Sequence, residues 1–222
     1  MNYSDEVIVS TKALAEHCMN ALDDPNKPIH ILPNLPLESL CDMGGRYDQM
    51  ILEKLNKNEV NIILTSGTLS HKQILNETIF PVLRRILEKY PHLIISTIGH
   101  ITLPSYFNQF QERIISIPFT DYDSYLNSLS QGNIALVPLE KHATTDGKSA
   151  IKWMEASYCG VPCICSPVRA YTDVTEDGQD VFIAKNAEQW EQMISHLIDQ
   201  TKTRRELTNN AFKSAKQQFN NS

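Results

Sequence analysis

The most restrictive feature of this sequence is a series of short, almost continuously apolar runs that alternate with segments of helical spacing. Strands that are apolar on both faces belong to a sheet that is covered on both sides, and intervening helices are typical of parallel pairing. The sequence therefore predicts an α/β fold with a doubly wound parallel sheet, Rossmann-like in class. The predicted strands are residues 6–10, 60–67, 92–99, 113–119, 133–140, 161–166 and 180–184, and residues 28–36 are predicted to be a short strand that leads into a proline-rich link.

Helical periodicity fills most of the chain between these runs. Pro81 lies inside one helical segment and predicts a kink or a join there, because proline cannot donate the helical hydrogen bond. Residues 50–56 fit either a short helix or a linker. The predicted helices are residues 11–22, 73–91, 121–131, 149–158, 186–200 and 202–219.

Composition narrows the class of protein. The chain has 222 residues, 41% of them hydrophobic, which is enough to bury a core without disulfides or metals. Its net charge of −6 argues against a nucleic-acid partner. No apolar run reaches the length of a transmembrane segment, and the N-terminus lacks the pattern of a signal peptide. We therefore expect a cytoplasmic protein, or one peripheral to the inner face of a membrane.

The five cysteines favour a reducing compartment rather than a disulfide framework, because their number is odd and no secretion signal precedes them. Cys159, Cys163 and Cys165 are close together, but their spacing matches no common zinc motif. We interpret Cys163 and Cys165 as small apolar residues of a buried strand. No metal site is predicted.

Polar and glycine-containing stretches follow the predicted strands at their carboxyl ends. In a doubly wound sheet, ligands bind at these ends, where the strand order reverses. The stretch Ser66-Gly67-Thr68 lets the backbone approach a ligand closely, and its hydroxyls suit phosphate oxygens. It is neither the G-x-G-x-x-G fingerprint nor a Walker A loop. By itself, this short stretch is a weak indication of a phosphate site.

A polar stripe on an otherwise apolar helix is more informative. Lys148, Lys152, Glu155 and Cys159 are spaced four, three and four residues apart, so they share one face of the helix predicted at 149–158. Ser149 is the expected N-cap, and a helix N-terminus beside a lysine suits an anion such as phosphate. Glu155 suits the two hydroxyls of a ribose. The alternative interpretation is a solvated ion pair between Lys152 and Glu155.

Longer motifs resemble a known family. "KSAIKWMEASYCGVPCICSPVRAYTDVTEDGQDVFIA" is similar to the most specific block of glycosyltransferases of the GT-B fold, in the large group with many bacterial polysaccharide enzymes. "TSGTLSHK" resembles that group's first strand and glycine loop, and "RIISIPFTDYDSYLNSLSQGNIALVPLE" resembles the following strand–helix–strand segment. The chain is thus similar to the C-terminal, donor-binding half of such an enzyme.

The resemblance implies a role for individual residues. Glu155 matches the glutamate that binds the nucleotide ribose, while Lys148 and Thr68 are the candidates for catalysis at the reacting diphosphate. Two positions depart from the family pattern: a glycine at 147 replaces a glutamate, and Arg169 replaces a glycine. The residues expected to bind the donor are Ser66, Gly67, Thr68, Lys72, Ile117, Pro118, Phe119, Lys148, Ser149, Glu155 and Arg169.

The implied activity is transfer of a sugar from a nucleotide diphosphate sugar to an acceptor hydroxyl, in polysaccharide or glycoconjugate synthesis. No cofactor or metal is expected; the expected partners are the nucleotide sugar and a glycan, lipid-linked or protein acceptor. A retaining outcome is implied, but the glycine at 147 leaves it open. Two other functions fit the same residues: a non-catalytic partner of similar fold, and a sugar-nucleotide epimerase.

The resemblance also divides the chain. Residues 1–40 are similar to the last strand and helix of an acceptor domain with its hinge, and residues 41–222 to the nucleotide-sugar-binding domain. The rest of an acceptor domain is therefore expected upstream or in another chain, and this chain by itself is expected to be inactive.

One short motif has a simpler interpretation. Asp121 and Asp123 form a D-x-D pattern like the metal-binding motif of the other glycosyltransferase fold. Because they stand at the predicted start of a helix, we interpret them as helix-capping residues.

Overall fold

A six-stranded parallel sheet forms the centre of the molecule. The computed structural model describes residues 4–55, 59–67 and 72–219. Its strands are β3 (Val60–Ser66), β4 (Leu93–Gly99), β5 (Ile114–Ile117), β6 (Ile134–Val137), β7 (Cys163–Cys165) and β8 (Phe182–Ile183). Their order in the sheet is β5-β4-β3-β6-β7-β8, and every pair is parallel, which confirms the predicted α/β doubly wound class.

Apolar side chains cover both faces of this sheet. Alternate residues of β3 point to opposite sides, so that Ile63 joins one cluster of buried residues and Ile62 and Leu64 join the other. Burial on both faces is the reason why these strands are continuously apolar instead of alternating. Cys163 and Cys165 are fully buried in β7, as the sequence predicts.

The helices lie on the two faces of the sheet, and several differ from the prediction. For residues 50–56 the sequence left a helix and a linker open, and a helix covers the described part of this segment; the helix Glu38–Gly45 is not predicted from the sequence. A π-helical segment, Leu75–Ile79, interrupts the helix around Pro81, so the predicted join is confirmed. The helices that follow the small unit described below are α2 (Glu38–Gly45), α3 (Tyr47–Leu55), α4 (Lys72–Ile74), α5 (Phe80–Lys89), α6 (Tyr122–Ser130), α7 (Ala143–Asp146), α8 (Ile151–Tyr158), α9 (Arg169–Thr172), α10 (Ala187–Asp199) and α11 (Thr201–Gln218), with a 3-10 helix at Ser105–Arg113.

The first elements of the chain form a separate small unit. Strands β1 (Val7–Val9) and β2 (Ile29–Ile31) pair in parallel, with helix α1 (Lys12–Ala21) between them. They share a small apolar cluster of their own, formed by Val7, Val9, Ala15 and Cys18. No helix within the described ranges is both long and apolar enough to cross a membrane.

Candidate functional site

A cavity of about 340 Å³ opens where the strand order of the sheet reverses. Strands β3, β4 and β5 follow one another towards one edge of the sheet, whereas β6 lies on the other side of β3. The cavity is bounded by the carboxyl ends of β3 and β4, the loop after β5, and helices α6 and α8. Its lining includes Thr65, Ser66, Gly67, Ile98, Gly99, Phe119, Thr120, Tyr122, Tyr125, Ile151, Lys152 and Glu155. We call it the switch-point cavity.

Glu155 places a buried carboxylate in this cavity. Its side chain is only 6% exposed, and Tyr125 Oη donates a hydrogen bond of 2.8 Å to Glu155 Oε2. Burial raises the pKa of the Glu155 carboxyl, while hydrogen bonds from Tyr125 and Tyr122 work in the opposite direction. Burial also raises the pKa of Tyr125 well above its ordinary value, so that the phenol remains a hydrogen-bond donor.

Lys152 lies one helical turn before Glu155 and also faces the cavity. Its Nζ donates a 2.5 Å hydrogen bond to the backbone oxygen of Thr65, at the end of β3. Burial lowers the pKa of Lys152 to about 8, and the nearby Glu155 carboxylate partly opposes this decrease. Lys152 and Glu155 thus face the interior and form no ion pair with each other. The alternative of a solvated Lys152–Glu155 pair on the surface is therefore wrong.

A pair of stacked aromatic rings forms the rim. Phe119 is 67% exposed and stacks on His100, with ring centroids 5.5 Å apart and planes 15° from parallel. His100 is held by its backbone N–H, which donates to the Ser66 oxygen at 2.8 Å. The turn depends on Gly99, which has φ +90°, and a Cβ at this position would collide with the same Ser66 oxygen. The outer face of Phe119 remains accessible.

A second cavity, of about 450 Å³, lies between the small N-terminal unit and the main body. Lys148, Ser149 and Arg169 line it from the main body, and Thr11 and Asn34 line it from the small unit. Asn34 Nδ2 donates to Ser149 Oγ at 2.7 Å. We call it the inter-unit cavity.

In this cavity the guanidinium group of Arg169 forms ion pairs with two carboxylates. It forms two hydrogen bonds to Glu16, of 2.5 Å and 3.2 Å, and pairs with Asp173 at 3.0 Å. The hydrogen bonds to Glu16 and Asp173 raise the pKa of Arg169, and Arg169 in turn lowers the pKa of Glu16. Arg169 therefore joins the small unit to the main body.

The profile of the family described as glycosyl transferases group 1 matches residues 48–214, which is most of the chain. The chain belongs to this family of glycosyl transferases.

Several solved structures have a fold similar to that of this chain. Sucrose-phosphate synthase from Thermosynechococcus elongatus is 17% identical, with a TM-score of 0.72; the match covers 99% of this chain and 55% of that chain. Anabaena HepE, solved in complex with UDP-glucose, is 16% identical, with a TM-score of 0.67 and coverages of 97% and 60%. The C-terminal domain of LpcC from Francisella tularensis is 15% identical, with a TM-score of 0.59 and coverages of 79% and 94%.

The chain therefore spans little more than half the length of the first two proteins, and nearly all of the third, which is a C-terminal domain. These similarities identify the fold as the Rossmann-like fold of the C-terminal domain of GT-B glycosyltransferases. No curated protein matches the chain.

The structure divides the predicted site residues between the two cavities. Ser66, Gly67, Phe119 and Glu155 line the switch-point cavity, whereas Lys148, Ser149 and Arg169 line the inter-unit cavity. In the part of the chain that the structure describes, neither lining includes Lys72, Ile117 or Pro118. Thr68 lies outside the described residues.

One prediction about α8 is wrong. The helix begins at Ile151 with Ala150 as its N-cap, and no side chain caps it. Ser149 lies one residue too early, and its hydroxyl accepts the hydrogen bond from Asn34 instead. The interpretation of Asp121 as a helix cap is confirmed, because its Oδ1 accepts a 2.9 Å bond from Ser124 N at the start of α6.

Several residues of the switch-point cavity are not predicted from the sequence. Tyr122 and Tyr125 come from α6, and their spacing of three residues places both on one helix face. This spacing can be recognised in the sequence, but no local pattern indicates that these tyrosines lie next to Glu155. Gly99 and His100 had a weaker signal, namely a glycine directly after a buried strand.

Proposed function

We propose that this protein is the donor-binding part of a glycosyltransferase that moves a sugar from a nucleotide diphosphate sugar to an acceptor hydroxyl. The observation that carries the proposal is the buried carboxylate of Glu155 inside a cavity at the point where the strand order reverses. A desolvated carboxylate needs hydrogen-bond donors, and the two hydroxyls of a ribose supply them. The complex of HepE with UDP-glucose, on a similar fold, supports this choice of ligand.

The rest of the switch-point cavity suits a nucleoside. The accessible face of Phe119 offers a stacking surface for a base, supported from behind by His100. Ser66 and Gly67, at the end of β3, bring backbone close to the position expected for the diphosphate. The proposed orientation places the base at the rim, the ribose at Glu155 and the phosphates near β3.

The chemistry that we propose is electrostatic and needs no metal. When the glycosidic bond breaks, the leaving diphosphate gains negative charge, which fixed cations and backbone N–H groups stabilise. Lys148 is the proposed catalytic cation in the inter-unit cavity, and Thr68 is the proposed hydroxyl at the reacting centre. The inter-unit cavity lies just before the start of α8, which makes it the candidate place for the sugar to meet an acceptor of a polysaccharide or glycoconjugate.

A non-catalytic binding partner of the same fold is the second candidate. Two observations favour it: residue 147 is glycine, and the guanidinium of Arg169 is engaged by Glu16 and Asp173. A glycine at 147 supplies no side chain to contact the sugar, and the guanidinium of Arg169 is already paired with two carboxylates instead of with phosphates. Such a protein would bind a nucleotide sugar without cleaving it.

Calorimetric titration tests the proposal. We expect one of UDP, GDP, dTDP, ADP and CDP to bind at micromolar to millimolar concentration and to raise the melting temperature, by linkage to the folded state. Incubation with the corresponding nucleotide sugars and an acceptor then separates the candidates: transfer or hydrolysis indicates a transferase, and an isomerised nucleotide sugar indicates an epimerase. Binding without any turnover indicates the non-catalytic partner, and failure of all five nucleotides to bind would overturn the proposal.

A further inference from the structure

Lys152 is the one cationic side chain among the described residues that line the switch-point cavity. Two other cationic residues that the sequence predicts to bind the donor, Lys148 and Arg169, lie outside this cavity. Lys148 lines the inter-unit cavity, and Arg169 is paired with Glu16 and Asp173. Among the described lining residues, Lys152 is therefore the side chain that could pair with an anion in the switch-point cavity.

The surroundings of Lys152 leave it able to bind an anion. An ammonium group has three donors, and the hydrogen bond described for Lys152 uses one of them, to the Thr65 oxygen. Thr65 directly precedes Ser66 and Gly67, so Nζ lies beside the loop at the end of β3. An ammonium group with further donors, held next to a glycine-containing loop in a cavity, suits a phosphate oxygen.

The position of Lys152 relative to Glu155 fits the covalent structure of a nucleotide. Residues three apart on a helix are neighbours, with about 5–6 Å between their Cβ atoms. Lys152 lies on the side of Glu155 towards the N-terminus of α8. A ribose bound by Glu155 would thus place its attached phosphate group next to Lys152.

We propose that Lys152 binds a phosphate group of the nucleotide and takes up a proton when it does so. This inference rests on the proposed function. Lys152 is not among the residues that the family resemblance predicts to bind the donor, and the proposal gives it a direct contact with a phosphate group.

Burial provides the physical basis for proton uptake. In the free protein the pKa of Lys152 is lowered to about 8, so near this pH about half of the molecules have a neutral amine. A bound phosphate anion stabilises the ammonium form and raises the pKa. The proton comes from the acid form of the buffer. The nucleotide itself takes up none, because the second pKa of a phosphate monoester is about 6.

Other titratable groups face Lys152 from three elements. Glu155 and the preceding Lys148 belong to α8 and its start, Cys163 and Cys165 to β7, and Tyr125 to α6 through its bond with Glu155. Burial raises the pKa of both Cys165 and Tyr125 well above their ordinary values. These two groups therefore keep their protons near pH 8. If a variant that lacks only Lys152 loses the proton uptake, Lys152 is the group that takes up the proton.

The experiment is calorimetric titration of the tightest-binding nucleoside diphosphate of the five at pH 8, in Tris and in HEPES buffer. These buffers differ in ionisation enthalpy, so the difference in apparent binding enthalpy measures the protons taken up. The variants are Lys152→Met, which removes the charge, and Lys152→Arg, which keeps a cation that does not titrate. Lys185→Met is the matched control, because Lys185 is exposed and lies outside both cavities. Thermal melting checks that each variant is folded.

We expect the wild type and Lys185→Met to take up about half a proton at pH 8 and to bind about tenfold more weakly at pH 9 than at pH 7. Lys152→Met should bind weakly with no uptake, and Lys152→Arg should bind with no uptake and no decline up to pH 9. Wild-type binding without proton uptake, or a Lys152→Met variant that binds like the wild type, would overturn the role of Lys152 and leave the donor proposal intact. If none of the five nucleotides binds the wild type, the proposed function fails and this inference fails with it.

Discussion

At the scale of single residues, the two charged groups of α8 matter because Glu155 is buried and Lys152 is half-buried in the same cavity. Burial raises the pKa of the Glu155 carboxyl and lowers that of the Lys152 ammonium, so in each case desolvation favours the neutral form. A protein that retains two such groups in one cavity loses stability unless a ligand or neighbour satisfies them. Tyr125 satisfies one oxygen of Glu155 and the Thr65 carbonyl accepts one hydrogen bond from Lys152, so both groups keep further hydrogen-bonding capacity for a ligand.

Glu155→Gln should weaken nucleotide binding about ten- to a hundredfold, because a hydrogen bond to a charged group contributes about 1.5–3 kcal/mol. The amide keeps the shape of the side chain but presents a donor where the ribose also donates. Calorimetric titration of the preferred nucleotide measures the change. Glu112→Gln is the control: it makes the same chemical change at an exposed position. Equal affinities for Glu155→Gln and the wild type would contradict the ribose contact.

Lys152→Met should change how stability depends on pH. In the wild type the pKa of Lys152 is about 8 in the folded protein and 10.5 in the unfolded chain. At pH values between 8 and 10.5 the unfolded chain therefore binds more protons than the folded protein. The wild-type free energy of unfolding should therefore rise with pH relative to that of Lys152→Met, by about 3 kcal/mol at most between pH 8 and 10.5. Urea denaturation at several pH values tests this. Parallel curves for the two proteins would show that the pKa is not lowered.

At the scale of elements, α8 is fixed at its carboxyl end rather than at its start. It has no side-chain cap at Ala150, but Lys54 Nζ, from α3, donates to the backbone oxygens of Cys159 at 3.0 Å and Gly160 at 2.7 Å. A cation at a helix C-terminus also interacts favourably with the helix dipole. Helix α3 thus holds α8, and with it Glu155, in position.

Lys54→Met should destabilise the protein by about 1–2 kcal/mol, because two carbonyl groups at the end of α8 lose a charged donor. Lys185→Met removes the same charge from an exposed loop and should change stability by less than about 0.5 kcal/mol. Denaturant midpoints of the two variants measure the difference. If Lys54→Met is as stable as the control, water replaces the lysine at the helix end.

At the scale of the whole molecule, two bodies of unequal size meet at the inter-unit cavity. The small unit has four buried residues in its cluster, whereas the main sheet separates two large clusters. Polar contacts join the bodies: Thr11 Oγ1 donates to the Gly147 oxygen at 3.0 Å, Asn34 binds Ser149, and Arg169 pairs with Glu16. Local stability should therefore differ between them.

Hydrogen exchange should show this difference. Backbone amides of β1 and β2 should exchange at a lower opening free energy than those of β3, β4 and β6, because a two-stranded sheet is marginally stable by itself. Arg169→Ala should accelerate exchange in β1 and α1 by about 1.5- to 5-fold and leave β3 unchanged, since exposed ion pairs are weak. Mass spectrometry of exchanged peptides measures both effects. Equal protection of the two sheets would mean that they open as one unit.

Local pattern was sufficient for the strands of the main sheet and for the edge at which their carboxyl ends meet. Continuous apolar runs predicted the six strands of the main sheet, because burial on both faces leaves little room for polar side chains. The glycine-containing end of β3 and Glu155 line one cavity, because parallel strands bring their carboxyl ends to one edge; their role in binding a donor stays a prediction. Helix α2 was missed: it is short, and it ends in two glycines, which favour a turn in any sequence-based assignment.

Only the tertiary structure decided how the charged residues are used. The spacing of Lys148, Lys152 and Glu155 fixed a shared helix face, but the packing of α8 against α6 and the main sheet turned Lys152 and Glu155 inwards and started the helix after Lys148. Arg169 and Glu16 are 153 residues apart, so no local pattern predicted their pairing. Spacing along a chain determines which side chains share a face, whereas contacts between distant segments determine what that face meets.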